Sequence, residues 1–334
     1  MPRTEFAIGF ENATVQQFVE AARLVEELGF STFWIPEDYF YRGAFTIAAA
    51  IASATTSLKI GIGVLNPFTR HPALIAMEFA ALDELAQGRA ILGIGAGVRA
   101  WIEINLRLDY KGASRAIRES VEVIRAMMRG DKVDYEGRHV RTSGVKLNFS
   151  PLRKEIPIHL GVLGPRNLAL AGEIADGVLL SAMLSPAYIR FAREAIARGR
   201  GPRGASDFPV AGYILSSIGE DDRAARDAIK PLLAGLIGLM AGEPKNPLFA
   251  TAGLDPDLVV AIGARLANGE MPVEMISDWI VDTFAIAGSP ERCRENLARL
   301  FDAGLTSPVF FEIPGVPHQR TIGDVHRHLL SRLL

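Results

Sequence analysis

Apolar positions along the chain fall into two alternating rhythms. Residues 6–10 form a short apolar run, after which Val15, Phe18, Val19, Ala22 and Val25 recur at spacings of three and four, on one face of a helix. Gly29 supplies the left-handed residue on which such a helix stops, and residues 32–35 form the next apolar run. The order repeats. A helix over 74–86 closes at Gly88 before a strand at 90–94, and one over 167–175 stops near Asp176-Gly177 before a strand at 178–180. Ser289-Pro290-Glu291 joins a hydroxyl cap to a first-turn proline and starts a helix that runs to Gly304, ahead of a strand at 309–311. Further strands are expected at 59–65, 156–161 and 208–214. Eight strands thus begin near residues 6, 32, 59, 90, 156, 178, 208 and 308, with helices between them and a last helix near 324–333. This alternation predicts an α/β chain whose parallel βαβ units close into a TIM (β/α)8 barrel, an open doubly wound sheet being the alternative.

Two stretches exceed what a barrel needs. Residues 133–147 carry Glu136-Gly137-Arg138, a hairpin-like turn before strand five. Residues 231–282 read as largely helical, with Pro and Gly breaks at 242–247 and 253–256, and are expected as an insertion between strand seven and helix seven. The whole chain, 1–334, is expected to form one domain around that insertion.

Composition narrows the classes further. At 334 residues, 49% apolar and 22% charged, the chain is of the globular kind. Its 36 basic and 38 acidic residues give a net charge of −2, without the basic field that nucleic-acid binding needs. The single cysteine, Cys293, excludes an internal disulfide and fits a reducing compartment. Residues 1–10 carry no apolar export segment, and the apolar run at 231–241 is short of the ~20 residues that span a bilayer. A cytoplasmic protein with no membrane or nucleic-acid partner is expected.

In a barrel, chemistry sits at the C-terminal ends of the strands. That rule selects Gly9, Phe10 and Glu11 after strand one and Pro36-Glu37-Asp38-Tyr39 after strand two. It also selects Gly61 to Pro67 at strand three, Gly93 to Gly97 at strand four, Gly161 to Asn167 at strand five and Ser181-Ala182-Met183 at strand six. Glycines inside strands three and four weaken them, so something must approach the backbone there: a flat ligand on the rim, or a bulge that barrel closure requires. The loop from Gly161 to Asn167 opens a helix, whose free N–H groups suit a phosphate. Glu37 and Asp38 are candidate acids or ligand contacts, against the plain reading of two solvated loop carboxylates. The six histidines show no spacing with carboxylates that would form a metal site, and neither a Gly-x-Ser-x-Gly elbow nor a Walker A sequence is present.

The run Leu58-Lys59-Ile60-Gly61-Ile62-Gly63-Val64-Leu65-Asn66-Pro67-Phe68-Thr69-Arg70-His71-Pro72 resembles the bacterial-luciferase-like superfamily, and specifically its deazaflavin-dependent branch. Phe33 to Asp38, Leu82-Asp83-Glu84-Leu85, Gly88-Arg89-Ala90, Leu92 to Gly97, Gly164-Pro165 and Ala171 to Gly177 carry the same resemblance, which covers about residues 6–312. Within that branch the chain is most similar to the methylenetetrahydromethanopterin reductases. The resemblance implies a TIM barrel that binds coenzyme F420 at its C-terminal rim and passes a hydride from the reduced ring, commonly as a homodimer.

Carried over by position, Gly63-Val64 matches a non-prolyl cis peptide and bulge behind the ring. Asp38 and Asn66 match ring-side contacts, and Gly95, Ala96 and Gly97 line the cofactor path. Gly161, Val162, Leu163, Gly164, Pro165, Arg166 and Asn167 match the phosphate-binding loop. Two positions depart from the pattern. The glutamate that closes strand one in the reductases is Gly9 here; Glu11, of the same parity along the strand, is the candidate acid beside Asp38. After Gly97, Val98-Arg99 replaces an acidic residue, and position 38 is aspartate where a sugar-phosphate dehydrogenase of the superfamily has histidine, which speaks against that activity. The expected function is hydride transfer between F420 and a methylene-pterin-like or other C=N or C=C substrate. The alternatives are an FMN-dependent monooxygenase using reduced flavin and oxygen, and a barrel that holds a flavin-like molecule without turnover.

Overall fold

The computed structural model describes residues 4–7, 13–311 and 315–330. In chain order the elements are β1 (Glu5–Ala7), α1 (Val15–Glu27), β2 (Thr32–Ile35), α2 (Ala44–Ala54), β3 (Lys59–Leu65), α3 (Pro72–Leu85), β4 (Ala90–Gly95) and α4 (Ala113–Arg129). An antiparallel hairpin, β5 (Val133–Glu136) and β6 (Arg141–Val145), precedes β7 (Ile158–Gly161), α5 (Pro165–Ile174), β8 (Gly177–Leu180), α6 (Pro186–Arg200) and β9 (Val210–Ile218). Next come α7 (Asp222–Leu239), α8 (Pro247–Ala252), α9 (Pro256–Ala267), α10 (Asp278–Phe284), β10 (Ile286–Gly288), α11 (Pro290–Asp302), β11 (Ser307–Phe311) and α12 (His318–Val325).

Eight of these strands close on themselves, all parallel, in the order β9-β11-β1-β2-β3-β4-β7-β8, with β8 pairing back to β9. This is the TIM barrel expected from the strand rhythm. Local sequence accounts for the elements. Thr14 caps α1 in a reciprocal box with Gln17. Helix α4 buries Ile117, Val121, Ile124 and Met128 in one stripe and ends at Gly130, whose φ of 92° suits only glycine. The core lies between barrel and helices, and Phe6, Phe33, Ile35, Phe79 and Phe310 are almost fully buried. Burying each such side chain stabilises the fold by about 1.5–3 kcal/mol.

Two expectations need correction. The helical stretch between the seventh and eighth barrel strands starts at Asp222, not at Pro231, which lies inside α7; Asp221 sets the start by accepting the Ala224 N–H at 3.0 Å. A ninth parallel strand, β10, pairs with the upper end of β9, Ile286 opposite Ser216. The expected helix at 324–333 is described to residue 330, its last turn being a π-helix, His326–Leu330. No helix among the described residues is long and apolar enough to cross a membrane.

Candidate active site

The C-terminal mouth of the barrel is organised around the end of β3. Its register against β4 shifts between Ile62 and Leu65, and the Gly63–Val64 peptide is cis, as the resemblance implied. The bulge turns Val64 sideways into space that other residues leave by being glycine. A Cβ built on Gly95 would stand 2.6 Å from the Val64 side chain, one on Gly161 2.7 Å, and one on Gly93 2.2 Å from the Ile62 carbonyl. Likewise, a Cβ on Gly61 or Gly63 would meet the Trp34 ring at 2.3 Å or 2.9 Å. Of the two reasons offered for these glycines, the bulge accounts for Gly93 and Gly95, beside which the Ile62 carbonyl and Val64 take the space, while Trp34 fills that beside Gly61.

Beneath the bulge lies a buried polar layer that sequence reasoning missed. The Trp34 indole donates to the Glu5 carboxylate at 2.5 Å, and the Tyr213 hydroxyl donates to the Gly63 carbonyl at 2.9 Å. Burial pushes the Tyr213 hydroxyl well above the ordinary tyrosine value, and the nearby Asp38 and Glu5 carboxylates push it further. Tyr213 therefore stays protonated and serves as a donor. The available signal was Glu5 itself, a carboxylate in an apolar strand, which a chain buries only with a partner.

Asp38 is half-buried on the loop after β2, close enough to Tyr213 for its negative charge to disfavour ionisation of the Tyr213 hydroxyl. Its neighbour Glu37 is a cap, not an acid: one carboxylate oxygen accepts the Ala44 N–H at 2.8 Å and the other faces Arg70 at 3.6 Å. Asn66 is 2% exposed, and its carbonyl oxygen accepts from the Phe68 and Thr69 backbones and the Thr69 hydroxyl at 3.0–3.2 Å. Its amide donates to Tyr39. Asn66 thus shapes the loop after β3 and also lies against Gly97, where a Cβ would come within 3.2 Å of its amide nitrogen.

Aromatic rings stand around this loop. Tyr39 packs against Trp101 at 5.6 Å and Phe68 against Tyr110 at 4.9 Å. The Tyr110 hydroxyl donates to the Gly97 carbonyl at 3.4 Å. Arg99 pairs with Glu103 at 2.8 Å and lies over the Tyr110 ring. Phe40, Arg107 and Met183, all on rim loops, have φ of 68°, 55° and 64°, a conformation that non-glycine residues adopt where surroundings impose it and that gathers at functional sites.

The loop after β7 continues the same surface. Gly161 lies against Val64, Val162 is buried, and the Leu163 carbonyl accepts from the Tyr188 hydroxyl at 3.0 Å. Gly164 is the N-cap of α5, with no side-chain cap, and a Cβ there would meet nothing within 4 Å. Pro165 fills the first turn, Arg166 is exposed with no partner among the described residues, and Asn167 accepts the Ser114 hydroxyl at 2.5 Å. That bond joins the start of α5 to the start of α4, whose cap, Gly112, also offers no side-chain acceptor. Two helix N-termini with free backbone donors and one unpaired guanidinium suit a phosphate group. Asp38, Val64, Asn66 and the 161–167 loop thus share one rim; Gly9, Phe10 and Glu11 lie outside the described residues.

Comparisons with known proteins agree with this geometry. Over residues 4–307 the chain matches the family described as luciferase-like monooxygenase. It is 33% identical over 322 residues to 5,10-methylenetetrahydromethanopterin reductase of Methanolobus tindarius, covering 95% of this chain and 96% of that one. It is 30% identical to the F420-dependent glucose-6-phosphate dehydrogenase of Nocardia farcinica, over 98% of both chains. The solved coenzyme F420-dependent tetrahydromethanopterin reductase of Methanopyrus kandleri superimposes with a TM-score of 0.89 at 27% identity, covering 99% of this chain and 100% of that one. With barrel, bulge and helix-capping loop in place along that whole length, the chain belongs to the luciferase-like monooxygenase family.

Proposed function

We propose that this oxidoreductase transfers a hydride between coenzyme F420 and a small substrate bearing a C=N or C=C bond, of the methylene-pterin type. The observation that carries the reading is the continuity of the rim: Val64 lies against Gly161, the first residue of the loop whose far end is the open, uncapped start of α5. A flat ring set against the Val64 bulge would have its phosphate-bearing tail directed along that loop toward Gly164 and Arg166. When bound, the deazaflavin supplies the hydride; the chain supplies orientation and a dry setting.

Each residue then has a physical task. Val64 forms the wall behind the ring, while Asn66 holds the loop that flanks it. Gly95, Ala96 and Gly97 form the path along β4, and the Tyr39, Trp101, Phe68 and Tyr110 rings exclude water from the edge. Asp38, at the half-exposed boundary, is the group that exchanges a proton with the substrate, with Glu11 as the second acid. Tyr213 keeps its proton and fixes the Gly63 carbonyl. We read the chain as one domain and as a homodimer, the exposed Leu74, Met77 and Leu85 of α3 supplying apolar surface for a second copy.

Equilibrium titration of the purified protein with F420 and with FMN tests the reading. Tight F420 binding with weak FMN binding, followed by reduction of a methylene-pterin, is the expected result. The reverse preference would overturn it in favour of an FMN-dependent monooxygenase, and binding of neither would leave a barrel without turnover.

A further inference from the structure

A cavity of about 320 Å³ lies between α6, α8, α10 and α11, with Ile214 of β9 and Ile286 of β10 in its wall. Its size falls at the low end of small-molecule sites. Most of its polar lining is already engaged. The Ser185 hydroxyl accepts the Tyr188 N–H at 3.1 Å, and the Thr251 and Thr283 hydroxyls donate to carbonyls of their own helices at 2.7 Å. The Asp282 carboxylate is neutralised by Arg226 at 3.1 Å and Arg292 at 3.5 Å.

Three groups remain unspent. Asn296 is only 9% exposed, yet its buried amide nitrogen has no hydrogen-bond partner. The guanidiniums of Arg190 and Arg299, both exposed residues lining the cavity, form neither a hydrogen bond nor an ion pair among the described residues. A buried amide is rarely left without a partner, and two guanidiniums without counter-ions call for an anion. The rest of the wall is apolar, with Phe284 and Leu300 buried and Trp279 standing 48% exposed.

We propose that this cavity is a second ligand site, separate from the barrel rim, for a small organic acid. Its carboxylate is held by Arg190, Arg299 and Asn296, and its apolar body lies against Phe284, Leu300 and Trp279. The site does not depend on which coenzyme the rim binds.

The test titrates the full chain with benzoate, hexanoate, benzyl alcohol and inorganic phosphate, following tryptophan fluorescence. The chain has three tryptophans, so Trp279→Phe identifies the signal that belongs to this site. The expected result is saturable binding of benzoate or hexanoate, at least tenfold tighter than benzyl alcohol and tighter than phosphate. Arg190→Ala and Arg299→Ala, both at exposed positions, should each weaken it at least fivefold, and Asn296→Leu should weaken it as well. Absence of saturation by either acid overturns the proposal. So does equal binding of benzyl alcohol, tighter binding of phosphate, or an affinity unchanged in both arginine variants.

Discussion

Gly161 and Val64 make a pair in which each is defined by the other. A methyl group added at Gly161 would stand 2.7 Å from a Val64 methyl, well inside van der Waals contact. Gly161→Ala should therefore cost about 1–3 kcal/mol through overpacking. It should also displace the wall behind the coenzyme, lowering F420 affinity about tenfold, equivalent to about 1.4 kcal/mol. Trimming the partner tests the cause: Gly161→Ala with Val64→Ala should melt above the Gly161→Ala single variant. A double variant no more stable than the single would mean that the clash lies elsewhere. These glycines were legible in the sequence as positions needing an explanation, but the explanation was not. Val64 reaches across strands, and no local pattern reports which side chain will occupy the space a glycine leaves. The same holds for Tyr213 and Gly63, joined by a hydrogen bond although 150 residues apart in the chain.

At the scale of elements, several features that the sequence made visible prove to be staples. The Asp83 and Arg89 positions that carried the family resemblance work at the lower end of the barrel. Asp83 is fully buried and takes a two-point contact from Arg153, at 2.9 and 2.5 Å. Arg89 donates to the carbonyls of Ala52, Thr55 and Leu58. Glu26, near the end of α1, does similar work for the start of β3, accepting the N–H groups of Thr56, Ser57 and Leu58 at 2.6–2.9 Å and the Ser57 hydroxyl. Burial alone would raise its pKa, but those donors outweigh burial and hold it at about 2, against 4.5 for a free side chain. Because the folded value is depressed, the stabilisation is fully present above pH 4.5 and is lost as pH falls toward 2. Glu26→Gln should thus cost about 1–3 kcal/mol near neutrality. The melting temperatures of variant and parent should converge between pH 4.5 and 2, as a thermal-denaturation series would record. A gap that stayed constant with pH would show that the carboxylate charge is not what binds α1 to β3. Strand and helix order was readable because it rests on short-range periodicity and caps. The start of α7 was misread because Pro231, a usual boundary signal, lies within that helix, and β10 was missed because three residues carry no period.

Across the whole molecule, the helical stretch between β9 and β11 reaches the far side of the mouth. Glu243, in the connection between α7 and α8, acts electrostatically on Arg99 and Tyr110, which belong to the segment after β4. Burial, and after it the Glu243 charge, push the Tyr110 hydroxyl up to about 12. An anion beside a phenol disfavours the phenolate, so removing that anion must lower the pKa. Glu243→Gln should therefore bring Tyr110 down from about 12 toward, but not to, the ordinary 10.0, since the effect of burial remains. Tyrosinate absorbance against pH, taken as the difference between each protein and its Tyr110→Phe counterpart, reads this out. The effect should shrink in high salt, where charges near a surface are screened. An unchanged Tyr110 titration would mean that the helical stretch does not come close to this part of the rim in solution. A downward shift would establish that the connection between α7 and α8 bears on the segment carrying Trp101 and Tyr110. The water-excluding edge of the site would then be built from both sides of the barrel, and substitutions around Glu243 should alter substrate KM while leaving F420 affinity near its parent value.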